Sequence, residues 1–324
     1  ASAQFTINGK NAIYDKISNT YLVSIPEEIF GKNYQAEIKL NTDSAWGNFK
    51  IEGQEITDSY TFETVKANKE YSVQAIKDGK EINSQLTFTF LPLLVIEGTF
   101  GYDYAQGNIS LLSPDAAEPT NSFAKVKWRG GTTNTADKHK RNYKIKTLNE
   151  KGKKQEISLL GMREDNNWIL DAGQIDLFRL RNRIATEIWN DFATKPYYAS
   201  KEPKVKSGVT GKVVEVILNN EYRGIYSLTE AMDRKELKLK KYDDENQEFH
   251  GQLWKVSSWD KATFWDIDKD YDNTQETWHA FETKYPDIED INPTDYSPLY
   301  EAIDFVVNSN DETFKKEVGD YFDI

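Results

Sequence analysis

Residues 123–129, FAKVKWR, and residues 141–147, RNYKIKT, decide the fold of the larger part of this chain. In both stretches a basic residue alternates with an apolar one. Successive side chains of a strand point to opposite faces of a sheet, so each stretch predicts a strand with one apolar and one cationic face. Lys144 and Lys146 share the cationic face of the second strand. If the two strands pair, their basic faces form one patch.

Residues 130–139 connect these strands, and a helix is predicted after them. Its apolar residues recur at helical spacing and are expected to face a core: Leu177, Leu180, Ile184, Ile188 and Phe192. Asp171 and Gln174 are expected to cap its start. A hairpin should follow, with strands at Val213–Leu218 and Gly224–Glu230, because asparagine at 219 and 220 tolerates the left-handed turn conformation. Three further helices are predicted near Thr277–Lys284, Pro298–Asn308 and Asp311–Phe322.

The first 92 residues have a different pattern. Short runs that alternate or are rich in β-branched and aromatic residues recur at intervals of about 12 residues, which is typical of a β-sandwich. We therefore predict an all-β, immunoglobulin-like sandwich over 1–92 that serves as a spacer or binding module. Its aromatic residues are expected to pack in a core, and glycan binding through an exposed tyrosine or Trp46 is the alternative. An α+β domain is predicted over 93–324.

Composition excludes several classes of function. The chain of 324 residues has no cysteine, so disulfides, thiolate chemistry and cysteine-based zinc sites are excluded. It has three histidines, whose spacing gives no sign of a shared metal site. A net charge of −12 argues against nucleic acid as the main partner. Apolar runs are too short to span a bilayer, which needs about 20 residues.

Charge is unevenly distributed along the chain. Residues 125–154 hold eleven lysines and arginines against two acidic residues, whereas residues 260–324 hold five against eighteen. A basic segment in an acidic protein is one way to build an anion site. The alternative is that the two segments neutralise each other, with the lysines on a solvated strand face.

Several motifs, in one order, resemble the spore-coat protein H (CotH) kinase-like family over about residues 93–324. The resemblance is carried by six stretches: Lys127–Thr132 (KWRGGT), Lys140–Lys146 (KRNYKIK), Leu159–Met162 (LLGM), Asn167–Ala172 (NWILDA), Arg179–Arg183 (RLRNR) and Asn219–Glu230 (NNEYRGIYSLTE). The fold that the resemblance implies is an atypical kinase-like domain. Members of the family are described as kinases that transfer phosphate from ATP to serine on spore-coat or surface proteins.

The resemblance implies roles for five residues. Lys144 or Lys146 is expected to meet the ATP phosphates, with Arg129 as a second cation. Glu230 closes the hairpin motif near the nucleotide. Glu187 is expected to pair with the phosphate-binding lysine, by analogy to ordinary kinases. The expected cofactors are ATP and Mg²⁺.

The family's catalytic Asn and Asp residues follow a segment like Tyr321–Ile324, where this sequence stops. We therefore expect a domain truncated at its C-terminal end, with its catalytic residues unassigned and no efficient kinase activity from these 324 residues. The expected partner is a secreted or surface protein. Because the sequence begins at Ala1 without methionine, a leader is expected to have been removed and an extracytoplasmic location is predicted.

Two alternatives stay open. Alternating aspartates at 266, 268, 270 and 272 are similar to a calcium loop, but Tyr271 and Thr277 stand where an EF-hand needs glycine and glutamate. A solvated acidic loop is the plainer interpretation. The rival function is a non-enzymatic surface binding or adhesion module that uses the kinase-like core as a scaffold.

Overall fold

The computed structural model describes residues 4–40, 46–77, 79–135, 137–257, 269–287 and 294–323. It divides into two compact units. The first unit contains residues 1–185 and 210–230, and the second contains residues 186–209 and 231–324. Strands dominate the described residues, which also contain three α-helices.

Ten strands form two sheets in the first 89 residues. They are β1 (Phe5–Ile7), β2 (Lys10–Asn11), β3 (Ile13–Asp15), β4 (Thr20–Ser24), β5 (Tyr34–Leu40), β6 (Trp46–Ile51), β7 (Gln54–Glu55), β8 (Ser59–Phe62), β9 (Tyr71–Lys77) and β10 (Lys80–Thr89). One sheet has the order β2-β1-β5-β8 and the other β3-β4-β10-β9-β6-β7. All described strand pairs in them are antiparallel except β4 with β10.

The two sheets enclose one aromatic core. Alternation places Leu86 and Phe88 of β10 inside, where Phe88 meets the ring of Phe62 edge-on at 4.9 Å. Edge-to-face aromatic pairs stabilise a core beyond the area that they bury. The arrangement is in line with the predicted β-sandwich.

Seven strands form a closed barrel in the rest of the first unit. They are β11 (Leu93–Glu97), β12 (Ala105–Leu112), β13 (Thr120–Arg129), β14 (Asn142–Leu148), β15 (Asn167–Asp171), β16 (Gly211–Leu218) and β17 (Glu221–Glu230). Their order is β11-β12-β13-β14-β15-β17-β16, and a parallel pair of β16 with β11 closes the barrel. Closure leaves no free sheet edge.

The barrel interior is filled by the apolar face of each strand. Trp168 is fully buried there, and Val126 and Ile145 belong to the same core. The lysines between them on the strands lie on the outer face, where Lys127, Lys144 and Lys146 are half-buried and Lys125 is exposed. The alternation in the sequence therefore predicted correctly which face of β13 and β14 is apolar.

The sandwich is anchored directly on the barrel. Asp15, at the end of β3, is 3% exposed and accepts a 3.0 Å hydrogen bond from the Tyr222 amide of β17. The Lys16 amide donates to the Asn220 carbonyl at 2.8 Å. A small apolar cluster joins the two parts: Leu22, Leu93, Leu112 and Ile217.

Asp15 makes this anchor sensitive to pH. Burial acts to raise the pKa of Asp15, but hydrogen bonds from Ser18 and from the Tyr222, Ile17 and Ser18 amides outweigh burial and lower it. A carboxyl whose pKa is lowered by folding stabilises the fold above its unfolded pKa, which is about 3.8, and loses this effect as the pH falls through the folded value.

Asp15→Asn should therefore lower the free energy of unfolding by about 1–2 kcal/mol at pH 7, since a charge-assisted acceptor is lost. The difference in the free energy of unfolding between this variant and the wild type should become smaller as the pH falls to 3 and below. Urea unfolding at several pH values measures it, and a difference that does not change with pH would contradict this role.

The second unit contains β18 (Leu253–Val256), β19 (Thr277–Trp278), β20 (Phe281–Tyr285), α2 (Ser297–Asn308) and α3 (Asp311–Tyr321). Its three strands form a sheet with the order β18-β20-β19. The core of this unit includes Trp278, Phe281, Tyr296 and Ile303. The helices predicted near 298–308 and 311–322 are confirmed. The helix predicted near 277–284 is wrong, because β19 and β20 pair there as a hairpin.

Helix α1 (Arg181–Phe192) runs from the first unit into the second. It begins later than predicted, and Asp176 rather than Asp171 accepts from the Arg181 amide, at 2.8 Å. Its apolar residues do not face a core: Ile184 is 51%, Ile188 55% and Phe192 67% exposed. Among the described residues, no helix is both long enough and apolar enough to cross a bilayer.

Candidate functional site

The basic strands β13 and β14 pair in register. Lys127 lies opposite Lys144, and Lys125 lies opposite Lys146, on the outer face of the barrel. The two strands do pair, which is the condition under which their basic faces form one patch, so four ammonium groups share one surface of two adjacent strands. Like charges directly opposite each other on a sheet repel, and a group of them gives this surface a positive potential. We call these four residues the lysine face.

Tyr104 lies against the lysine face. Its ring centroid is 4.8 Å from the Nζ of Lys127 and 4.8 Å from the Nζ of Lys146, so two ammonium groups contact one aromatic ring. Burial raises the pKa of Tyr104 to about 12, and its hydroxyl therefore stays protonated at neutral pH. The sequence analysis missed Tyr104, because its position beside β13 depends on the pairing of β12 with β13.

The loop from β13 to β14 is held by Arg141. Its Nη1 donates to the carbonyls of Asn134, at 2.8 Å, and of Thr135, at 2.7 Å, and its guanidinium lies 4.5 Å from the Trp128 ring centroid. Gly130 adopts φ +110°, a conformation that residues with a Cβ rarely adopt. The loop is therefore folded onto the end of the basic strand pair.

Arg129 is the last residue of β13 and is exposed. It pairs across the strands with Asn142 and has the same parity as Lys125 and Lys127. The structure thus brings three of the predicted site residues, Arg129, Lys144 and Lys146, to one strand pair.

Lys140 is a further cation of this region, and no role was assigned to it from the sequence. Its Nζ donates to the Ile225 carbonyl and lies 4.2 Å from the Tyr226 ring centroid. Burial, and then the Arg179 guanidinium, lowers the pKa of Lys140 to about 8, while Asp171 acts in the opposite direction.

Glu230 lies in a different place from the lysine face. It is 1% exposed and pairs with Trp168, whose side chain fills the barrel. One carboxylate oxygen accepts from the Arg163 amide and the other from the Thr210 amide, each at 2.9 Å. These contacts fasten two chain segments to the end of β17. A contact of Glu230 with nucleotide stays a prediction.

Glu187 is exposed on α1, in the part of the helix that belongs to the second unit. Lys144 and Lys146 belong to the first unit. The expected ion pair of Glu187 with the phosphate-binding lysine therefore stays a prediction.

Three possible metal ligands lie together in the second unit. The ligand atoms of Asp243, Glu248 and His250 lie within 4.8 Å of one another, on surface residues. Asp243 already accepts hydrogen bonds from the Glu245 and Asn246 amides, at 3.0 Å each, as a turn cap. Of the alternating aspartates considered as a calcium loop, those at 266 and 268 lie outside the described residues.

The described elements after residue 119 run in the order of two paired basic strands joined by a glycine-containing loop, then β15, helix α1 and the hairpin of β16 with β17. The family model described as CotH kinase protein matches residues 126–324, which is more than half of the chain. The chain therefore belongs to the CotH kinase family. The comparison with curated proteins gives no match. The matched range begins within β13, so Tyr104 and the strands β11 and β12 lie outside it.

Proposed function

We propose that the lysine face binds the phosphates of ATP with Mg²⁺, in a kinase domain that phosphorylates serine on secreted or surface proteins. The proposal rests on one observation, the in-register pairing of Lys127 with Lys144 and of Lys125 with Lys146. Phosphoryl transfer depends mainly on positioning and charge neutralisation, and lysine supplies a compact positive charge to phosphate oxygens. The Tyr104 ring lies 4.8 Å from two of these ammonium groups.

The substrate class and the extracytoplasmic location are carried over from the family resemblance and belong to the proposal. An immunoglobulin-like relationship for the sandwich, which the spacing of its strands indicates, is also part of the proposal. Mg²⁺ needs carboxylate ligands beside the phosphates. We assign none of the carboxylates described above to it.

A test compares the thermal midpoint of the chain with and without Mg²⁺ and ATP. Saturating ligand stabilises a folded protein, by about 2.7 kcal/mol at a concentration of 100 Kd. We expect Mg²⁺ with ATP to raise the thermal midpoint of the wild type. The double variant Lys144→Ala with Lys146→Ala should bind ATP at least about tenfold more weakly, because each lost charged contact costs about 1.5–3 kcal/mol.

Lys153→Ala with Lys154→Ala is the matched control. It removes two charges from the same basic segment, at exposed positions outside the strand pair, and should leave the rise unchanged. An equal rise in both double variants, or no rise in the wild type at millimolar ATP, would contradict the proposal.

A second function, a non-enzymatic surface binding module, is favoured by the exposed apolar side chains of α1, Ile184, Ile188 and Phe192. Exposed apolar patches mark many protein interaction sites. ATP binding that depends on Lys144 and Lys146 would favour the kinase proposal over this one.

A further inference from the structure

The sandwich carries a groove that is separate from the lysine face and precedes the residues matched by the family model. It lies beside β8, at one edge of the four-stranded sheet, and beside β7, at one edge of the six-stranded sheet. Its volume is about 510 Å³, within the range of small-molecule sites. The lining residues are Glu52, Gln54, Ser59, Tyr60, Thr61, Glu63, Lys69 and Tyr71.

Tyr71 is the unusual member of this lining. It is 2% exposed, and its hydroxyl has no hydrogen-bond partner among the residues that the structure describes. A buried polar group without a partner costs folding free energy, and almost all such groups in native proteins are paired. Burial, then Tyr60 and Glu52, raises the pKa of Tyr71, so the hydroxyl keeps its proton and can both donate and accept.

The charges along the groove restrict the ligand. Glu52 and Glu63 line the groove together with Tyr60, whose pKa is raised first by burial and then by these two carboxylates. The Lys69 Nζ lies 4.6 Å from the Tyr71 ring centroid, which places positive charge on the same lining. An anion would meet the carboxylates, and a cation would meet the ammonium group.

The remaining lining groups are hydroxyls and an amide, so an apolar ligand would leave polar groups unpaired. A neutral ligand rich in hydroxyls fits, because each hydroxyl can donate to a carboxylate and accept from an ammonium or amide. Tyr60 is half-buried and belongs to the lining, and an aromatic ring is a group against which the C–H face of a sugar ring can pack.

We propose that this groove binds a neutral oligosaccharide and that the buried Tyr71 hydroxyl is one of its hydrogen-bond partners. This function goes beyond phosphoryl transfer. It would attach the kinase domain to a glycan-bearing surface, because the sandwich is anchored on the barrel through Asp15 and Lys16.

Isothermal titration of the whole chain tests the proposal with cellohexaose, xylohexaose, mannohexaose and chitohexaose. Tetralysine and tetraglutamate peptides serve as the charged probes. We expect at least one neutral oligosaccharide to bind and both peptides to fail. No binding of any of the four saccharides up to about 1 mM, or binding of a charged peptide in their place, would overturn the proposal.

Tyr71→Phe removes only the hydroxyl. We expect it to weaken saccharide binding about tenfold, the effect of one hydrogen bond in a site sheltered from water. We also expect the thermal midpoint of the free protein to stay equal or rise, because an unpaired buried hydroxyl has been removed. If Tyr71 had only a structural role, its substitution would not weaken saccharide binding while leaving the thermal midpoint undiminished.

Tyr14→Phe is the matched control, since the Tyr14 hydroxyl donates to the Asn19 side chain at 2.8 Å, away from the groove lining. It should leave the affinity within about twofold of the wild type. Equal saccharide affinity in the wild type and in Tyr71→Phe would overturn the assignment of Tyr71. Both outcomes are independent of ATP binding at Lys144 and Lys146.

Discussion

Glu230→Ala is expected to lower the free energy of unfolding of the first unit by about 3–5 kcal/mol. The carboxylate is 1% exposed and accepts from the Arg163 and Thr210 amides at 2.9 Å each. Each hydrogen bond to a charged group contributes about 1.5–3 kcal/mol, and alanine leaves both amides without this acceptor. Arg163 lies between β14 and β15, and Thr210 directly precedes β16. The substitution therefore loosens two parts of the barrel at once.

Urea unfolding measures this loss. Glu221→Ala is the control on the same strand, because Glu221 makes surface ion pairs with Lys16, at 3.0 Å, and with Arg223. Pairs of this kind contribute at most about 1 kcal/mol. A loss below 1 kcal/mol for Glu230→Ala would show that the barrel does not depend on this buried carboxylate.

Strand pattern was predictable where side chains alternate regularly. In β13 and β14 alternation alone indicated which side chains fill the barrel, because a strand has a period of two residues. The sequence also showed that the basic faces form one patch if the strands pair, whereas the register that sets Lys127 opposite Lys144 comes from the structure. Local sequence thus determined most of the lysine face.

Closure of the barrel was not predictable in the same way. Leu93 of β11 pairs with Glu215 of β16, more than a hundred residues away in sequence, and no local pattern reports such a contact. Tyr104 was missed for a related reason, because its contact with Lys127 needs the pairing of β12 with β13. The match with the family model adds nothing at Tyr104, which precedes the matched range.

Two interpretations failed because a pattern has more than one physical solution. Helical spacing correctly indicated a helix around Ile184 and Ile188, but spacing shows only that a face is apolar and not what covers it. The aromatic segment 277–284 was too short for periodicity to separate helix from strand. The sequence indicated that Glu230 belongs to a motif, but it did not indicate that the side chain is buried and bound to backbone amides.

The central claim is that ATP lies on the lysine face, and lysine acetylation footprinting tests it on the unaltered chain. Bound nucleotide shields the amines that it contacts, and a ligand at a concentration well above its Kd leaves few sites free to react. The surface lysines Lys39 and Lys153 lie outside the lysine face and report general reactivity in the same sample.

We expect Mg²⁺ with ATP to slow acetylation of Lys127, Lys144 and Lys146 by about tenfold at a ligand concentration near 10 Kd, while Lys39 and Lys153 react at unchanged rates. Mass spectrometry of the labelled peptides gives each rate separately. Equal acetylation of Lys144 and Lys146 with and without saturating nucleotide would contradict the account.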